Sequence, residues 1–463
     1  MLMPTRRARA HALASRRSTK VLAVSVLALL VGCGSSADGG SLGGGSSGAN
    51  PPSSSPPASR DDAGTTPPPS SVPDAATPGE TYPAFTPAVP KLLNGGGAIL
   101  KNPVFVTITW PNDANADAFE KLGDEIGPTA YWKTAVSEYG VGVATSGAAN
   151  HVRMATALPT ALKATDIETL VTTNATNGTW PAQTPDTLYV MYLPSTTSLD
   201  FGDGSGDACA GGTGGYHDNI KSTGHDIPYA VVLQCPKTGL DDATVTASHE
   251  MAEAATDTLP STTQAFAGVD DAHFVWDLMQ RFQDENGDMC EMYEDYLVKD
   301  PAMPYALQRL WSDQSAAAGH APCVPAPAGA YFSATPLGTM DDLVLDMTSL
   351  QGPANQKASG LKVAVGATRT VDVGFYSDAP SDAWTLSAVE MDPFADSTSN
   401  DPFAAASTSL LDLSLDKTSG KNGDKATLTI KVKTASPTKG RVVLLVSKLG
   451  TQTHYMPLLV GTN

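Results

Sequence analysis

The sequence is organised around one segment, Thr244-Val-Thr-Ala-Ser-His249-Glu250-Met-Ala-Glu253-Ala-Ala-Thr-Asp257. Its alanine, methionine and glutamate residues favour a helix. Asp241 or Asp242, which follow Gly239, can cap the start of that helix. The segment is the one place in the chain where residue types and spacing together specify a chemistry.

The spacing within this segment predicts a metal site. On a helix, His249, Glu253 and Asp257 follow one another along one face, because residues four apart are neighbours. An imidazole and a carboxylate at this spacing can chelate zinc, and the adjacent Glu250 can act as general base on a water molecule. The pattern is that of the His-Glu-x-x-His zinc peptidases with the second histidine replaced by glutamate. The alternative is an acidic helix that faces solvent.

A catalytic zinc usually has three protein ligands, and the helix supplies two. The third is expected from a later segment, Asp284-Glu285-Asn-Gly-Asp288-Met-Cys290, or from the helix itself. We place Glu285 first, Asp288 second and Asp257 third as the remaining ligand. The predicted metal ligands are therefore His249, Glu253 and Glu285.

Calcium is a second candidate cation. Asp284, Asn286 and Asp288 have the alternate spacing of a calcium-binding loop. However, Met289 and Asp295 stand where the EF-hand pattern requires glycine and glutamate. The glycine-rich loop 200–209 also carries three aspartates, which a solvated turn explains equally well.

A histidine upstream of the helix is a candidate catalytic residue. His217 follows Gly214-Gly215-Tyr216. A Cys209–Cys235 disulfide would tie its loop to the strand before the helix, so that His217 could line the cleft as a ligand or as a transition-state donor. The alternative is a structural or exposed histidine.

The cysteines indicate export and two disulfides. Beyond Cys33 the chain has four cysteines, Cys209, Cys235, Cys290 and Cys323. Such an even number in an exported chain predicts two bridges with three possible connectivities. Proximity in sequence favours Cys209–Cys235 and Cys290–Cys323.

The N-terminus resembles a bacterial lipoprotein signal. Six basic residues precede a short apolar run over 21–30, which is typical of a signal peptide and too short for a membrane-spanning helix. Leu30-Val31-Gly32-Cys33 resembles a lipobox. We therefore expect a signal peptide over 1–32, a lipid on Cys33, and a protein held at the outer membrane or cell surface. An ordinary secretory signal with an unrelated cysteine is the alternative.

Composition divides the rest of the chain. Residues 33–81 are rich in glycine, serine and proline, which predicts a disordered tether. Upstream of the helix we expect strands over 104–110, 187–193 and 229–233, and helices over 115–139, interrupted near 127–128, and 165–177. This order matches a zincin-type α+β domain over 82–328, although several other α/β arrangements are compatible.

The C-terminal part is predicted to be all strand. Short apolar segments lie at 343–347, 361–365, 370–375, 383–388, 410–415, 426–432 and 441–447. Their spacing, with turn residues between them, predicts an immunoglobulin-like β-sandwich over 329–463. The predicted fold class is thus α+β, with this sandwich following the zincin-like mixed α/β domain.

The charge balance excludes nucleic acid as a partner. The formal net charge is −19, and all residues after position 32 together carry 23 basic and 48 acidic side chains, a net −25. Such a surface repels phosphate backbones and attracts divalent cations.

The residues assembled so far resemble a known family. Cys209…Gly215-Tyr216-His217…Cys235, then His249-Glu250-x-x-Glu253-Ala-x-Thr256-Asp257, then Trp276…Glu285-Asn-Gly-Asp288-x-Cys290 is similar to the EXORDIUM or phosphate-induced proteins. The likeness covers roughly residues 90–323. It implies an exported protein in which Glu253 and Glu285 share a site with His249, and it implies no particular reaction. Thr256-Asp257-Thr258-Leu259-Pro260 departs from the usual family pattern at the end of the helix.

Two hypotheses follow. The first is a surface-anchored zinc-dependent hydrolase, specifically a peptidase acting on an extracellular or periplasmic substrate. The second is a non-catalytic envelope or matrix adhesion protein with at most structural metal sites. Carboxylate-rich sites suit harder cations than zinc, which favours the second hypothesis, whereas the spacing of the helix and the downstream acidic segment favours the first.

Overall fold

The computed structural model describes residues 80–462, apart from 112, 203, 205, 223–224, 351, 392–405 and 407. The predicted signal peptide, Cys33 and the tether up to residue 79 lie outside the described residues, as does Asp203 of the glycine-rich loop. Across the described part of the chain, no helix combines the length and apolar character needed to cross a membrane. The fold is mixed α/β with many strands.

The first part of the chain is built on one five-stranded sheet. Its elements, in chain order, are β1 (Val104–Thr109), α1 (Ala116–Ile126), α2 (Ala130–Val136), β2 (His151–Arg153), β3 (Ala161–Lys163), α3 (Ala164–Thr176), β4 (Thr187–Leu193), β5 (Ser198–Asp200), β6 (Gly215–Ser222), β7 (His225–Leu233) and α4 (Leu240–Thr256). The sheet order is β2-β1-β4-β7-β6. The first four strands are parallel, and β6 pairs antiparallel with β7 at the edge.

Strand β4 shows how the sheet is covered on both faces. All seven of its residues are buried. Leu188, Val190 and Tyr192 face a core that includes side chains of α1, α2 and α4, whereas Tyr189, Met191 and Leu193 face a core that includes α3. The alternation follows from the two-residue period of a strand. Helix α4 is thereby packed against one face of the sheet directly after β7.

Helix α4 is buried and does not face solvent. Every residue from Ala243 to Thr256 except Thr246 is buried. Asp242 caps the start, since its Oδ2 accepts from the backbone N–H of Gly239 at 2.7 Å. The alternative of a solvent-facing acidic helix is therefore wrong. The helix also ends at Thr256, so Asp257 lies just outside it rather than one helical turn further along.

The chain after α4 covers the far side of that helix. It forms α5 (Phe274–Met279), α6 (Asp288–Glu291), β8 (Leu297–Lys299), β9 (Ala306–Gln308), β10 (Leu310–Trp311), α7 (Asp313–Ala317) and β11 (Cys323–Val324). The hairpin of β8 and β9 lies along α4, where Thr244 Oγ1 donates to Ala306 O at 2.8 Å. Single 3₁₀ turns occupy Ser137–Tyr139, Ala148–Asn150, Asp271–His273 and Thr348–Leu350.

Both predicted disulfides are present. Cys209 bridges Cys235, and Cys290 bridges Cys323, with Cα–Cα distances of 5.5 and 5.7 Å. The first bridge joins the loop before β6 to the residue shortly after β7. The second joins α6 to β11. The pairing favoured by proximity in sequence is confirmed.

The C-terminal part forms two sheets. Its strands are β12 (Phe332–Pro336), β13 (Asp341–Leu345), β14 (Gln356–Lys362), β15 (Thr368–Ser377), β16 (Trp384–Met391), β17 (Leu411–Leu415), β18 (Ser419–Gly420), β19 (Lys425–Val432), β20 (Gly440–Leu449) and β21 (Gln452–Gly461). The sheet orders are β12-β15-β19-β17 and β13-β14-β21-β20-β16-β18. Side chains of both sheets meet in one hydrophobic core.

This core continues across residue 328. Trp276 and Met279 of α5, Met289 of α6 and Trp311 of β10 belong to the same buried cluster as the side chains of the two C-terminal sheets. The two parts of the chain thus share apolar contacts. Burial of apolar surface is the main source of folding free energy.

The segment at 81–92 also contacts the C-terminal sheets. Asn422 accepts from Ala84 N at 3.0 Å and donates to Thr81 O at 2.8 Å. Ala88 N donates to Thr335 Oγ1 at 3.0 Å. The chain therefore runs along the C-terminal sheets before it enters β1.

Candidate metal centre

Helix α4 presents the three motif side chains to one buried site. His249, Glu250 and Glu253 have side chains exposed by no more than 3%. His249 Nε2 lies 2.9 Å from Glu253 Oε2, as the four-residue spacing requires. Burial of a charged pair at this depth is costly unless each polar atom finds a partner. The partners come from three further segments.

The segment around α6 supplies the first of them. The backbone N–H of Asp288 donates to Glu253 Oε1 at 3.0 Å, and Asp288 Oδ1 lies 3.7 Å from His249 Nε2. Glu253 is thus held at one oxygen by the backbone, while its other oxygen faces the imidazole. Of the described residues, His249, Glu253 and Asp288 form a group whose possible ligand atoms all lie within 4.8 Å of one another.

Strand β6 supplies His217. His217 Nδ1 lies 3.5 Å from Glu250 Oε2 and 3.6 Å from Glu253 Oε2. Its Nε2 lies 3.6 Å from Glu285 Oε2 and has no hydrogen bond within the described part of the chain. The side chain is only 5% exposed. His217, Glu250 and Glu253 form a second group within 4.8 Å, so Glu253 belongs to both.

Gln308, the last residue of β9, determines which ring nitrogen of neutral His249 carries the hydrogen. Its Nε2 donates to the backbone carbonyl of Gly287 at 2.7 Å, so its Oε1 must be the atom that faces His249 Nδ1, at 3.1 Å. A carbonyl oxygen only accepts, so Nδ1 carries a hydrogen. The lone pair of neutral His249 is then on Nε2, which points toward Glu253 and Asp288. Metal-binding histidines typically donate their other N–H to such an acceptor.

The position of Gln308 is itself fixed by α4. Its backbone N–H donates to Ser248 Oγ at 2.9 Å, and Ser248 in turn donates to Val245 O within the helix. Ser248, the residue before His249 on α4, therefore helps to hold Gln308 beside the imidazole.

Two glycines allow the backbone to approach these side chains closely. A Cβ at Gly287 would lie 2.6 Å from His249 Nδ1 and 2.7 Å from Glu253 Oε1. A Cβ at Gly215 would lie 2.8 Å from Glu250 Oε1 and 2.7 Å from Val231 O. No other residue type fits at either position without displacing its neighbours.

The electrostatics of the site reflect concentrated negative charge. Burial acts to lower the pKa of His249, but the charges of Glu253 and Glu250 outweigh it and raise that pKa to about 10. The pKa of His217 is raised in the same way, against burial, by Glu250 and Glu253. Burial raises the pKa of Glu285 well above its ordinary value, and Glu253 and Asp257 raise it further. A site of this kind attracts cations.

The predicted site residues are distributed unevenly around this centre. His249 and Glu253 lie together, and Asp288 completes their group, whereas Glu285 Oε2 lies 3.6 Å from His217 Nε2. Glu285 as the third ligand therefore stays a prediction. Asp257, the third candidate for this ligand, uses its Oδ1 to accept from the backbone N–H of Ala265 at 2.7 Å.

The sequence does not predict the contacts of Gln308 and Gly287 with His249. Gln308 lies 59 residues from His249, and no spacing rule connects the two. Gly287 was within the acidic segment, where a glycine between Glu285 and Asp288 is the available signal of a close backbone approach.

The donor set fits a divalent cation. It offers imidazole nitrogens and carboxylate oxygens, the ligand types that bind zinc. The Nε2 lone pair of His249 is directed at the site by Gln308, and the buried Nε2 of His217 has no hydrogen bond among the described residues. No protein-family model matches the sequence and no curated protein matches it, so the EXORDIUM resemblance stays a prediction.

Proposed function

We propose that this chain is a surface-anchored, zinc-dependent hydrolase that cleaves peptides. In this proposal residues 82–328 form a zincin-like domain, residues 329–463 form an immunoglobulin-like sandwich, and a lipid on Cys33 holds the protein at the outer membrane or cell surface. The observation that carries the proposal is the buried group His249, Glu253 and Asp288, in which Gln308 directs the His249 lone pair toward the two carboxylates.

His249, Glu253 and Asp288 would hold the ion. Zinc bound there would act as a Lewis acid on a water molecule and on the carbonyl oxygen of the substrate. Zinc is preferred over calcium because the group includes an imidazole nitrogen, whereas calcium takes oxygen ligands.

Glu250 would accept the proton from the attacking water. It follows His249 on α4, so it borders the group without being one of its three members. Its Oε2 lies 3.5 Å from His217 Nδ1, so the accepted proton stays within a buried network. General-base catalysis of this kind contributes roughly 10²–10⁴-fold to a rate.

His217 would donate to the substrate oxygen that gains negative charge. Its Nε2 is buried and has no hydrogen bond within the described residues. Preorganised donors aimed at a developing charge are effective because they need no reorganisation during the reaction.

The edge strand supports a peptide substrate. β6 carries His217 and ends the sheet order, so its outer edge has no strand neighbour among the described residues. An extended peptide can add to such an edge through backbone hydrogen bonds. A peptide bound along β6 would run beside His217 and so pass the metal group.

The order of elements supports the zincin-like assignment. The metal-binding helix α4 comes directly after β7 and packs on one face of the sheet, while the antiparallel edge strand β6 borders the site. The two C-terminal sheets and their common core support the sandwich assignment.

The test is metal analysis of the purified full chain. We expect stoichiometric zinc that is lost in Glu253→Ala and retained in Glu125→Ala, where the glutamate is 40% exposed on α1 and pairs with Lys121. Glu250→Gln should retain zinc and lose cleavage of a peptide library. A parent chain that binds no zinc and cleaves no peptide would instead support a non-catalytic adhesion protein.

A further inference from the structure

The proposed centre is closed off from solvent. His217, His249 and Glu253 have side chains exposed by no more than 5%, whereas the side chain of Glu285 is exposed by 15%. A peptide cannot reach the two histidines through a surface this closed unless a covering segment moves. Glu285 lies nearest to solvent, so the way into the centre passes this side chain.

Glu285 occupies the position at which a substrate oxygen would meet His217. Its Oε2 lies 3.6 Å from His217 Nε2, the atom proposed to donate to the substrate. A donor arranged for a substrate oxygen also attracts a carboxyl oxygen, because both are hydrogen-bond acceptors. The distance is too long for a good hydrogen bond, and Nε2 has none among the described residues. Glu285 thus blocks this donor without being bound firmly to it.

Residues 281–286, which we call the lid, carry Glu285 and are fixed at both ends. Before the lid, Met279 at the end of α5 is fully buried in the core shared with the C-terminal sheets. After it, Cys290 of α6 forms the second disulfide. Asp288, the proposed third ligand, lies only two residues before this bridge. A movement confined to the lid therefore displaces Glu285 and leaves Asp288 in place.

Two features of the lid destabilise its closed state. Arg281 and Phe282 have φ angles of 56° and 63°, in the left-handed region that residues with a Cβ disfavour. Asn286 is fully buried, and neither its Oδ1 nor its Nδ2 has a hydrogen bond within the described part of the chain. A buried amide in this state has lost its water without gaining a partner. Opening of the lid would relieve both conditions.

Few contacts oppose that opening. Gly268 N donates to Asp284 O at 3.0 Å, and Trp311 N donates to Asn286 O at 2.7 Å. Backbone hydrogen bonds of this kind make a modest net contribution, because water replaces them when the segment opens. Segments with few stabilising contacts open locally while the rest of a protein stays folded.

We infer that the lid is an autoinhibitory element. In the closed state Glu285 takes the place of the substrate oxygen at His217, and peptides are cleaved only in the open state. The inference rests on the proposed function, with Asp288 rather than Glu285 as the third ligand. A two-state equilibrium of this kind lowers the observed rate in proportion to the fraction of open molecules. A peptide bound along β6 would compete with Glu285 for His217 and so favour the open lid.

The experiment compares the zinc-loaded full chain with Glu285→Ala, which lacks the blocking carboxyl group. The variant should retain the zinc and cleave a peptide library about 10-fold faster or more, because the minor state of such an equilibrium is populated to about 10% at most. Glu294→Ala, at an exposed glutamate in the same part of the chain, should match the parent in zinc content and in cleavage.

A second measurement uses the unaltered chain and does not depend on how a variant folds. The backbone N–H groups of Gly268 and Trp311 donate to the lid, so hydrogen exchange at both should follow its local opening in the zinc-loaded parent. The N–H of Ala252, in the buried middle of α4, should exchange more slowly because it requires a larger unfolding event.

The outcomes separate this inference from the proposed function. A Glu285→Ala chain that loses its zinc identifies Glu285 as a ligand and overturns the autoinhibitory role. The role is also overturned if the variant keeps its zinc and cleaves no faster than the parent, or if Gly268 and Trp311 are protected as strongly as Ala252. A parent chain that binds no zinc, or zinc-loaded parent and Glu285→Ala chains that both cleave nothing, overturns the proposed function itself.

Discussion

Gln308 Oε1 lies 3.1 Å from His249 Nδ1, although 59 residues separate the two in sequence. The contact joins the end of β9 to the middle of α4. It assigns the hydrogen of the imidazole to Nδ1 and leaves the lone pair on Nε2, which faces Glu253 and Asp288. This one relationship links the β8–β9 hairpin to the chemistry of the helix.

Replacement of this glutamine should weaken metal binding. Gln308→Leu removes the acceptor for His249 Nδ1 and leaves the Gly287 carbonyl without its donor. Loss of such an outer-shell partner typically lowers metal affinity about 10–100-fold, and we expect that range in competition titrations with a zinc chelator. Gln234→Leu, at a half-buried glutamine bonded to Asn115 and Asp113, should keep the parent affinity. Equal affinities in the two variants would refute the orienting role.

A methyl group at Gly287 should disturb the centre. The added Cβ would lie 2.6 Å from His249 Nδ1 and 2.7 Å from Glu253 Oε1. Overpacking of this kind costs about 1–3 kcal/mol, and denaturant unfolding should show a loss of that size in Gly287→Ala together with weaker zinc binding. In the control Gly239→Ala, the new Cβ meets only Asp242 Oδ2 at 3.8 Å. A Gly287→Ala chain as stable as that control would contradict the close approach.

The identity of the third ligand can be decided with two isosteric variants. Asp288 Oδ1 lies 3.7 Å from His249 Nε2, whereas Glu285 Oε2 lies beside His217 Nε2. We therefore expect Asp288→Asn to weaken zinc binding more than Glu285→Gln does, as measured by calorimetry. A larger loss in Glu285→Gln would restore Glu285 as the ligand, as the sequence predicts.

The C-terminal sheets should lose stability in mild acid through His454. Burial lowers the pKa of His454 below its ordinary 6.5, against the raising effect of its hydrogen bond to Phe332 O at 2.6 Å. The unfolded chain therefore binds the proton first. The contribution of His454 to the free energy of unfolding is fully present above about pH 6.5. It is lost as the pH falls from there through the lower pKa of the folded state.

The check is the free energy of unfolding of parent and His454→Gln between pH 7.5 and about pH 5, the range around the histidine pKa. The parent should lose more stability over this range than the variant, because glutamine does not titrate. His320→Gln, where the side chain is 54% exposed, should follow the parent. Parallel curves for the parent and His454→Gln would rule out this contribution.

Local patterns in the sequence predicted many of the elements. The strand at 187–193 and the break between α1 and α2 are predictable because a short apolar run and the Gly127-Pro128 pair both act over a few residues. The helix expected over 165–177 begins one residue earlier, at Ala164, because Asp166 accepts from Lys163 N. The closeness of His249 and Glu253 likewise follows from their four-residue spacing on the helix.

Features that depend on tertiary contacts could not be predicted from the sequence. Strand β21 was missed because Pro457 lies within it, and proline weakens a strand prediction. The structure tolerates this proline, since β14 pairs with β21 only at Val460 and Gly461, beyond it. The role of Gln308 depends on how β9 meets α4, and the choice between Asp288 and Glu285 depends on the path of the chain into α6. None of these has a local signature.

The contacts of residues 81–92 have a mechanical consequence. If the predicted tether holds the protein by its N-terminus, a pull that reaches the described residues would pass through Thr81, Ala84 and Phe85 on its way to β1. Ala84 is bonded to Asn422, and the Phe85 ring lies against the backbone of Gly374, so tension would enter the C-terminal sheets before it reached β1. In a protein anchored in the predicted way, the C-terminal sheets would then carry this load, and the spacing of His217, His249 and Glu253 would not change.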